Sequence, residues 1–152
     1  MKLSIILVPP QNLTISAEVL QSWQPLRTGS IELILVLAER SGVEQLPWTR
    51  FVNRVVTPVA DLTPSLAERY NLGAKAATGD YFWLQESLAA PAILPLLKTA
   101  IVPAGKKSWL NVLGRYQAGD SIMIERLTWQ RLHGCNPLAA NPVADLINRF
   151  QF

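Results

Sequence analysis

Three polar residues, Gln85, Glu86 and Ser87, follow an apolar segment of strand type, and their oxygen atoms are of the kind that hard cations and phosphates bind. Glu86 is the only carboxylate of the three. Successive side chains of an extended chain point in opposite directions, so Glu86 should face away from the neutral oxygens of Gln85 and Ser87. Because Mg²⁺ and Mn²⁺ prefer carboxylates, the triplet predicts poor metal affinity, with Glu86 as the single candidate ligand.

The single histidine, His133, and the single cysteine, Cys135, lie near the predicted end of a helix. One histidine excludes a histidine-based metal cluster, and an imidazole at a helix C-terminus is favourable when charged. A Cys-His catalytic pair would need the two side chains to face each other, which this spacing disfavours. One cysteine also excludes an internal disulfide and is consistent with a cytoplasmic protein. We therefore expect structural roles for both residues and a cytoplasmic location.

The charge distribution disfavours nucleic-acid binding but tolerates a phosphorylated ligand. The net charge is +3 and the isoelectric point about 9.3, yet the basic residues are scattered and Lys106-Lys107 is the only adjacent pair. Nucleic-acid binders concentrate such charge on one face. Charged residues make up only 16% of the chain, which suggests that a second copy of the chain or a partner subunit covers part of the surface. No Gly-x-Gly-x-x-Gly or P-loop motif occurs.

No segment is predicted to cross a membrane. The most apolar stretch, residues 88–104, is interrupted by Pro91, Pro95 and Lys98 and is short for a span. The opening MKLSIILVPPQN lacks a small-residue cleavage site. It is therefore predicted to be a strand rather than a signal peptide.

The first half of the chain alternates between strand and helix patterns. Apolar runs predict strands at LSIILV, IELILVL, RFVNRVV and DYFWLQ, which are residues 3–8, 31–37, 50–56 and 80–85. Thr14 or Ser16 is predicted to cap a first helix that reaches Trp23. Thr63 is predicted to cap a second helix, with Pro64 in its first turn.

The second predicted helix places a glycine on its buried face. One face is formed at spacings of three and four by Leu62, Leu66, Tyr70, Gly73 and Ala77. Gly73 costs about 1 kcal/mol relative to alanine in a helix interior. We infer that it lets the helix approach the sheet closely, and we expect Gly79 to stop the helix.

The second half predicts a helix at PAILPLLKTAIV, a strand at GDSIMIE, a helix at RLTWQRLHG and a last helix at NPVADLINRF, capped by Asn141. This order indicates one α/β domain over residues 1–152, with a mainly parallel, Rossmann-like sheet and helices on both faces. Ligands of such sheets bind beyond the carboxyl ends of the strands. Those ends are predicted at residues 8–10, 37–39, 56–58 and 85–87.

The elements and several motifs together resemble family 2 glycosyltransferases, which have the GT-A nucleotide-sugar fold. YNLGAKAATGDYFWLQES, residues 70–87, is similar to the family's Arg-Asn-x-Gly helix, small-residue run, Gly-Asp/Glu-Tyr turn and strand. LSIILVPPQN resembles the first strand and its Pro-x-x-Asn turn, and IELILVL the second strand. AGDSIMIERLTWQRLHGCNP and ADLINR resemble later motifs. The resemblance covers most of the chain and implies a domain that binds a nucleoside diphosphate sugar, with Mg²⁺ or Mn²⁺ where the site functions.

The resemblance implies specific contacts and also reveals a degenerate Asp-x-Asp. The implied nucleotide-sugar contacts are Pro9, Asn12, Glu39, Asn71, Lys75, Gln85, Glu86 and Ser87. Gln85-Glu86-Ser87 stands where the family has Asp-x-Asp, and Glu39 lies a residue or two after the position of the aspartate that reads the base. Val143 occupies the position of the catalytic base, and Tyr70 that of the motif arginine, with Arg69 beside it. Lys75 would replace part of the missing metal charge if it pointed into the cleft.

Two functions are consistent with this pattern. One is a glycosyltransferase that moves a sugar from a nucleoside diphosphate to an acceptor. The alternative is a non-catalytic GT-A-like binding or interaction module, which the missing carboxylates favour on chemical grounds. Metal-dependent binding of nucleotide sugars separates the two, and the sequence leaves donor, acceptor and stereochemistry open.

Overall fold

The described part of the chain is built around one sheet, and the computed structural model describes residues 2–10, 15–27, 29–38, 48–59, 63–86 and 122–150. The strands are β1 (Leu3–Leu7), β2 (Ile31–Val36), β3 (Arg54–Val56), β4 (Tyr81–Gln85) and β5 (Ile122–Glu125). The helices are α1 (Ala17–Gln21), α2 (Leu66–Ala76), α3 (Arg126–Arg131) and α4 (Pro142–Phe150), with 3-10 turns at Gln24–Leu26 and Trp48–Arg50. The helix predicted at PAILPLLKTAIV lies outside the described residues.

The sheet is mainly parallel, as the alternating pattern predicted. Its strand order is β3-β2-β1-β4-β5; β1 pairs in parallel with β2 and β4, and β2 with β3. β5 is antiparallel to β4. Pairing continues past two strand ends, where the amide of Val8 donates to the carbonyl of Gln85 at 2.8 Å and that of Leu37 to Val56 at 2.9 Å. These bonds hold the carboxyl ends of the central strands in fixed relative positions.

Helices cover both faces of the sheet because every central strand is apolar on both sides. Alternate residues of β1, such as Ile5 and Leu7, pack with α1 and the 3-10 turns in one core. The other residues of β1, such as Ile6, pack with α2, α3 and α4 in the second core. The continuous apolar runs in the sequence therefore predicted the two-sided burial correctly.

Gly73 brings α2 into close contact with the sheet, as predicted. A Cβ atom added there would overlap the Cγ2 methyl of Ile6 on β1 and lie 2.9 Å from the Cγ2 methyl of Val36 on β2. Real Cβ atoms do not approach carbon atoms that closely, so only glycine fits without movement of the strands. The backbone of α2 is thereby fixed against β1 and β2.

The cap of α2 differs from the prediction. Ser65, not Thr63, is the N-cap: its Oγ accepts from the amide of Glu68 at 3.2 Å, and the Glu68 carboxylate accepts from the amide of Ser65 at 3.4 Å. This reciprocal pair is a capping box, which satisfies two amides that a helix start leaves free. The helix therefore begins after Pro64, because the capping box of Ser65 and Glu68 stabilises this start and Thr63 makes no such pair of hydrogen bonds with the helix.

Ser65→Ala is expected to lower the free energy of unfolding by about 1 kcal/mol, because the amide of Glu68 loses its partner. Thr63→Ala, at an exposed position outside the helix, should change it by less than about 0.5 kcal/mol. Urea unfolding of the two variants beside the parent protein measures both values. Equal losses, or a larger loss for Thr63, would show that the cap is assigned to the wrong residue.

Three other element boundaries differ from the predicted ones, each for a local reason. α1 is capped by Ser16 and ends at Gln21, before the 3-10 turn that includes Pro25. The predicted strand over residues 50–56 shortens to β3 because residues 48–50 form a 3-10 turn. α2 ends at Ala76, before Gly79, whose added Cβ would lie 2.8 Å from the carbonyl oxygen of Lys2. Gly79 thus allows the start of β4 to lie close to the backbone of Lys2, and it does not end the helix.

The last helix agrees with the sequence, whereas α3 ends at Arg131, three residues before the predicted end at Gly134. α4 begins at Pro142, and the Oδ1 atom of Asn141 accepts from the amide of Ala144 at 3.1 Å, as the predicted cap requires. None of the helices in the described ranges has the length and apolar character that a membrane span requires.

Candidate functional site

The carboxyl ends of β1 and β4 lie side by side and bring Pro9, Gln85 and Glu86 together. The amide of Val8 donates to the carbonyl of Gln85, which fixes the first residues after each strand next to each other. Neighbouring ends of parallel strands form the edge at which ligands of α/β sheets bind. Asn12, Glu39 and Ser87, which were predicted at the same edge, lie outside the described residues.

Gln85 is turned into the core. Its side chain is on the same side of β4 as Trp83, and its Oε1 accepts a hydrogen bond from the indole Nε1 of Trp83 at 2.9 Å. Gln85 is 4% exposed, and Trp83 belongs to the core on the α1 side. The oxygen that would have to bind a cation is therefore already an acceptor inside the protein.

Glu86 follows β4 in a bend of the chain. It is partly buried, and its negative charge acts on Arg69 of α2, where it opposes the loss of the proton. The carboxylate at the strand end thus lies near a cation of the protein.

Arg69 is the charged group at this edge that the sequence-based set of contacts did not include. It is 7% exposed, and its Nη1 donates to the carbonyl oxygen of Pro9 at 2.6 Å. Its buried Nε has no hydrogen-bond partner among the residues that the structure describes. Burial lowers the pKa of Arg69 from its ordinary value, while the charge of Glu86 raises it. Arginine remains protonated in proteins, so a positive charge is held beneath the strand ends.

A sequence signal for Arg69 was present. It precedes Gly73 by four residues, and residues four apart lie on the same face of a helix. Since Gly73 was predicted to face the sheet, Arg69 had to lie on that face one turn closer to the start of the helix. That start is at the carboxyl edge, because α2 returns from β3 to the parallel strand β4.

Asn71 and Lys75, the two predicted contacts on α2, are directed elsewhere. The Asn71 side chain donates to the carbonyl of Cys135 and accepts from the amide of Cys135, both at 2.9 Å. It thereby joins α2 to the turn after α3. Lys75 is exposed in the last turn of α2, at the end that leads to the start of β4. The structure does not bring Lys75 to the edge that holds Pro9 and Glu86.

This geometry matches solved glycosyltransferases in fold. A mannosyltransferase from Pyrobaculum calidifontis, PcManGT, solved in complex with GDP-Man and Mn²⁺, superposes with a TM-score of 0.67 and 14% identity, over 98% of this chain and 51% of that one. The chain has a GT-A-like glycosyltransferase fold. S. aureus TarS superposes with a TM-score of 0.59 for its residues 1–349 and 0.60 for a second structure, at 11% identity and over 93% of this chain in each case.

The chain spans about half of the length of PcManGT (51%), and 53% and 32% of the two TarS chains. No protein-family model matches the sequence, and no curated protein matches it either. The likeness therefore rests on the course of the backbone, and the predicted GT-A-like fold is confirmed at that level.

Within the described part of this GT-A-like fold, the residues do not fit a divalent metal. No three side chains among His, Cys, Asp and Glu come together there. Gln85 is committed to Trp83, and Glu86 is a single carboxylate close to Arg69. Hard divalent cations need several oxygen ligands with negative charge among them, and a guanidinium beside the site disfavours a cation further.

The turn after α3 holds His133 and Cys135 in structural positions. His133 is exposed and has φ of 60°, and Gly134 follows with φ of 71°. Arg149 of α4 donates to the carbonyls of Leu132 and Gly134 at 2.6 and 2.7 Å. Burial raises the pKa of the Cys135 thiol to about 12, and the charge of Arg149 only partly opposes this.

Cys135 is therefore expected to be unreactive in the folded protein. At pH 8 almost no thiolate forms, and Cys135 is 1% exposed, so a thiol reagent such as DTNB should label the native chain only at the rate of unfolding. In denaturant the single thiol should react fully and at once. Fast stoichiometric labelling of the native chain, at a rate independent of its stability, would contradict the buried placement.

Proposed function

We propose that the protein is a nucleotide-sugar-binding domain of glycosyltransferase type, similar to family 2 enzymes. The observation that carries the proposal is the superposition of 98% of this chain on a protein solved with GDP-Man. The binding site is the carboxyl edge of β1 and β4, where Pro9 and Glu86 meet. Asn12, Glu39 and Ser87 extend it by the family resemblance. One domain over residues 1–152 and a cytoplasmic location belong to the same proposal.

Sugar transfer at this edge has a defined chemical requirement. The bond between the anomeric carbon and the β-phosphate oxygen breaks, and a bond forms from that carbon to an acceptor hydroxyl, whose proton must go to a base. The family position of that base is Val143, which is 2% exposed and packs in the core on the α2 side. Its side chain cannot take a proton. The transferase function therefore requires a base from another part of the chain or from a partner.

A second candidate function, binding without turnover, is favoured by Gln85. The side chain at the first position of the degenerate Asp-x-Asp is bonded to Trp83 in the core. Such a domain would still bind the nucleotide at the carboxyl edge of β1 and β4, but it would not stabilise the departing diphosphate. It would act as a binding module or as a subunit that a second copy or a partner protein completes.

Calorimetric titration with UDP-, GDP- and dTDP-sugars, each with Mn²⁺ and with EDTA, tests the proposal. We expect at least one nucleotide sugar to bind and to raise the unfolding temperature. Release of free nucleoside diphosphate on longer incubation, with water as the acceptor, then measures turnover. Binding without release favours the binding module. No response to any nucleotide sugar under either condition would overturn the proposed function.

A further inference from the structure

We propose that Arg69 binds the diphosphate of the nucleotide in this domain and does so without a metal ion. The inference rests on the proposed function and names the group that recognises the ligand. Arg69 thereby takes the role that the sequence analysis gave to Lys75, which was to supply part of the missing metal charge. The ligand class is a nucleoside diphosphate or its sugar ester, and the contact is between the guanidinium and the phosphate oxygens.

The first argument is the incomplete hydrogen bonding of the buried Arg69. Arg69 is 7% exposed, and no carboxylate of the described residues forms an ion pair with its guanidinium. One nitrogen donates to Pro9 and the buried Nε donates to no acceptor among these residues. Buried charges in proteins are ordinarily paired, because loss of hydration is costly for an ion that gains no partner. An anion at this position would supply the missing acceptor and the opposite charge.

The second argument is location. The carbonyl of Pro9, to which Arg69 donates, lies directly beyond β1, and β1 and β4 are central strands of the sheet. α2 has 11 residues and starts at the same edge, so the partial positive charge of its N-terminus adds to that of Arg69. A guanidinium presents several N–H groups in one plane, which matches two phosphate oxygens better than a point charge does.

The third argument compares two ways of neutralising the diphosphate. A metal ion would need Glu86 as a ligand, whereas Arg69 can bind the phosphate oxygens without Glu86. The negative charge of Glu86 raises the pKa of Arg69, so the same charge opposes an anion that approaches the guanidinium. A metal-based site and an arginine-based site therefore respond in opposite ways to removal of this carboxylate. Glu86→Gln, which keeps the shape of the side chain, should weaken the former and strengthen the latter.

The test is isothermal titration of the full chain with GDP, UDP and inorganic pyrophosphate, in EDTA and in Mn²⁺, with GMP and UMP as monophosphate references. We expect diphosphates to bind equally well in both buffers and more tightly than monophosphates. Arg69→Gln should weaken binding at least about tenfold, the scale of a lost charge-assisted hydrogen bond. Arg69→Lys should weaken it less, and Glu86→Gln should tighten it several-fold.

Arg50→Gln is the matched control, because it removes one positive charge at an exposed residue of the 3-10 turn before β3. Its diphosphate affinity should equal that of the parent chain. Thermal unfolding of each variant shows whether it folds. If Arg69→Gln does not fold, Arg69→Lys is the second variant, because it keeps the positive charge but loses the planar pair of donors. A diphosphate affinity of Arg69→Lys equal to that of the parent chain would then overturn the inference.

The outcomes separate this inference from the proposed function. Diphosphate binding that requires Mn²⁺ and is lost in Glu86→Gln overturns the role of Arg69 and leaves the nucleotide-binding domain standing. Equal weakening by Arg50→Gln and Arg69→Gln also overturns it, because a general charge effect would then explain both. Absence of any nucleotide binding overturns the proposed function itself.

Discussion

Replacing Glu32 with alanine is expected to lower the free energy of unfolding by about 1–3 kcal/mol, because it leaves the buried hydroxyl of Ser4 without its acceptor. Glu32 is 4% exposed at the start of β2. One carboxylate oxygen accepts from the hydroxyl of Ser4 at 2.6 Å and from the amide and hydroxyl of Thr78 at 2.6 and 3.0 Å. The other oxygen lies 3.3 Å from the ammonium of Lys2.

This network ties three segments together at the amino edge of the sheet. Ser4 is on β1, Glu32 on β2, and Thr78 in the connection from α2 to β4. The amide of Gly79 also donates to the Ser4 hydroxyl at 2.8 Å, so loss of the carboxylate disturbs a second bond. Fully satisfied polar networks fix one arrangement of a core, whereas partly satisfied ones destabilise it.

The contribution of Glu32 to the free energy of unfolding should depend on pH only under acidic conditions. Burial alone would raise its pKa, but the hydrogen bonds from Ser4 and Thr78 and the charge of Lys2 together lower the pKa below the ordinary value of 4.5. A carboxyl whose folded pKa is lowered stabilises the fold fully above its unfolded pKa and loses that effect as pH falls through the folded pKa. The stability difference between the parent and Glu32→Gln should therefore be constant above about pH 5 and shrink below 4.5.

Urea unfolding of Glu32→Ala, Glu32→Gln and Glu18→Gln between pH 3 and pH 8 measures these differences. Glu18 is exposed in the first turn of α1, so its substitution should change stability by less than about 0.5 kcal/mol at pH 7. A loss for Glu32→Ala that is as small as that for Glu18→Gln would show that the network does not stabilise the sheet.

Gly73→Ala is expected to lower the free energy of unfolding by about 1–3 kcal/mol, although alanine favours helices. In an exposed helix interior the same change stabilises by about 1 kcal/mol. Here the new methyl group would overlap Ile6 and press on Val36, so α2 must move away from β1 and β2. The sign of the effect is therefore reversed by packing, and a larger side chain such as leucine should prevent folding of the domain.

Gly29→Ala is the control for this substitution. A Cβ added at Gly29 has no atom within 4 Å, so that variant should be as stable as the parent. Thermal and urea unfolding of the pair give the comparison directly. A stabilised Gly73→Ala would mean that α2 does not approach the sheet as closely as the structure shows.

The Gly73 contact was predicted from the sequence because it depends on local periodicity. Apolar runs identified the strands, spacings of three and four identified the buried face of α2, and one glycine on that face indicated close approach. The cap of α4 at Asn141 was predicted for the same reason, since a cap and the amide it accepts from are three residues apart. The cap of α2 was mispredicted because two signals, Thr63-Pro64 and Ser65-x-x-Glu68, overlap within a few residues.

The sequence predicted which strand ends lie side by side, but not the contacts that their residues make. The sequence by itself determined a mainly parallel sheet, and it predicted the edge at which we propose that the ligand binds. Only the tertiary structure decided that Arg69 reaches Pro9, that Gln85 is held by Trp83, and that Asn71 joins Cys135. The physical reason is that a repeating pattern specifies which face of an element is buried, whereas the partner of a polar atom depends on how distant segments are aligned. Arg69 and Pro9 are 60 residues apart, and Asn71 and Cys135 are 64 apart, so only the folded arrangement joins them.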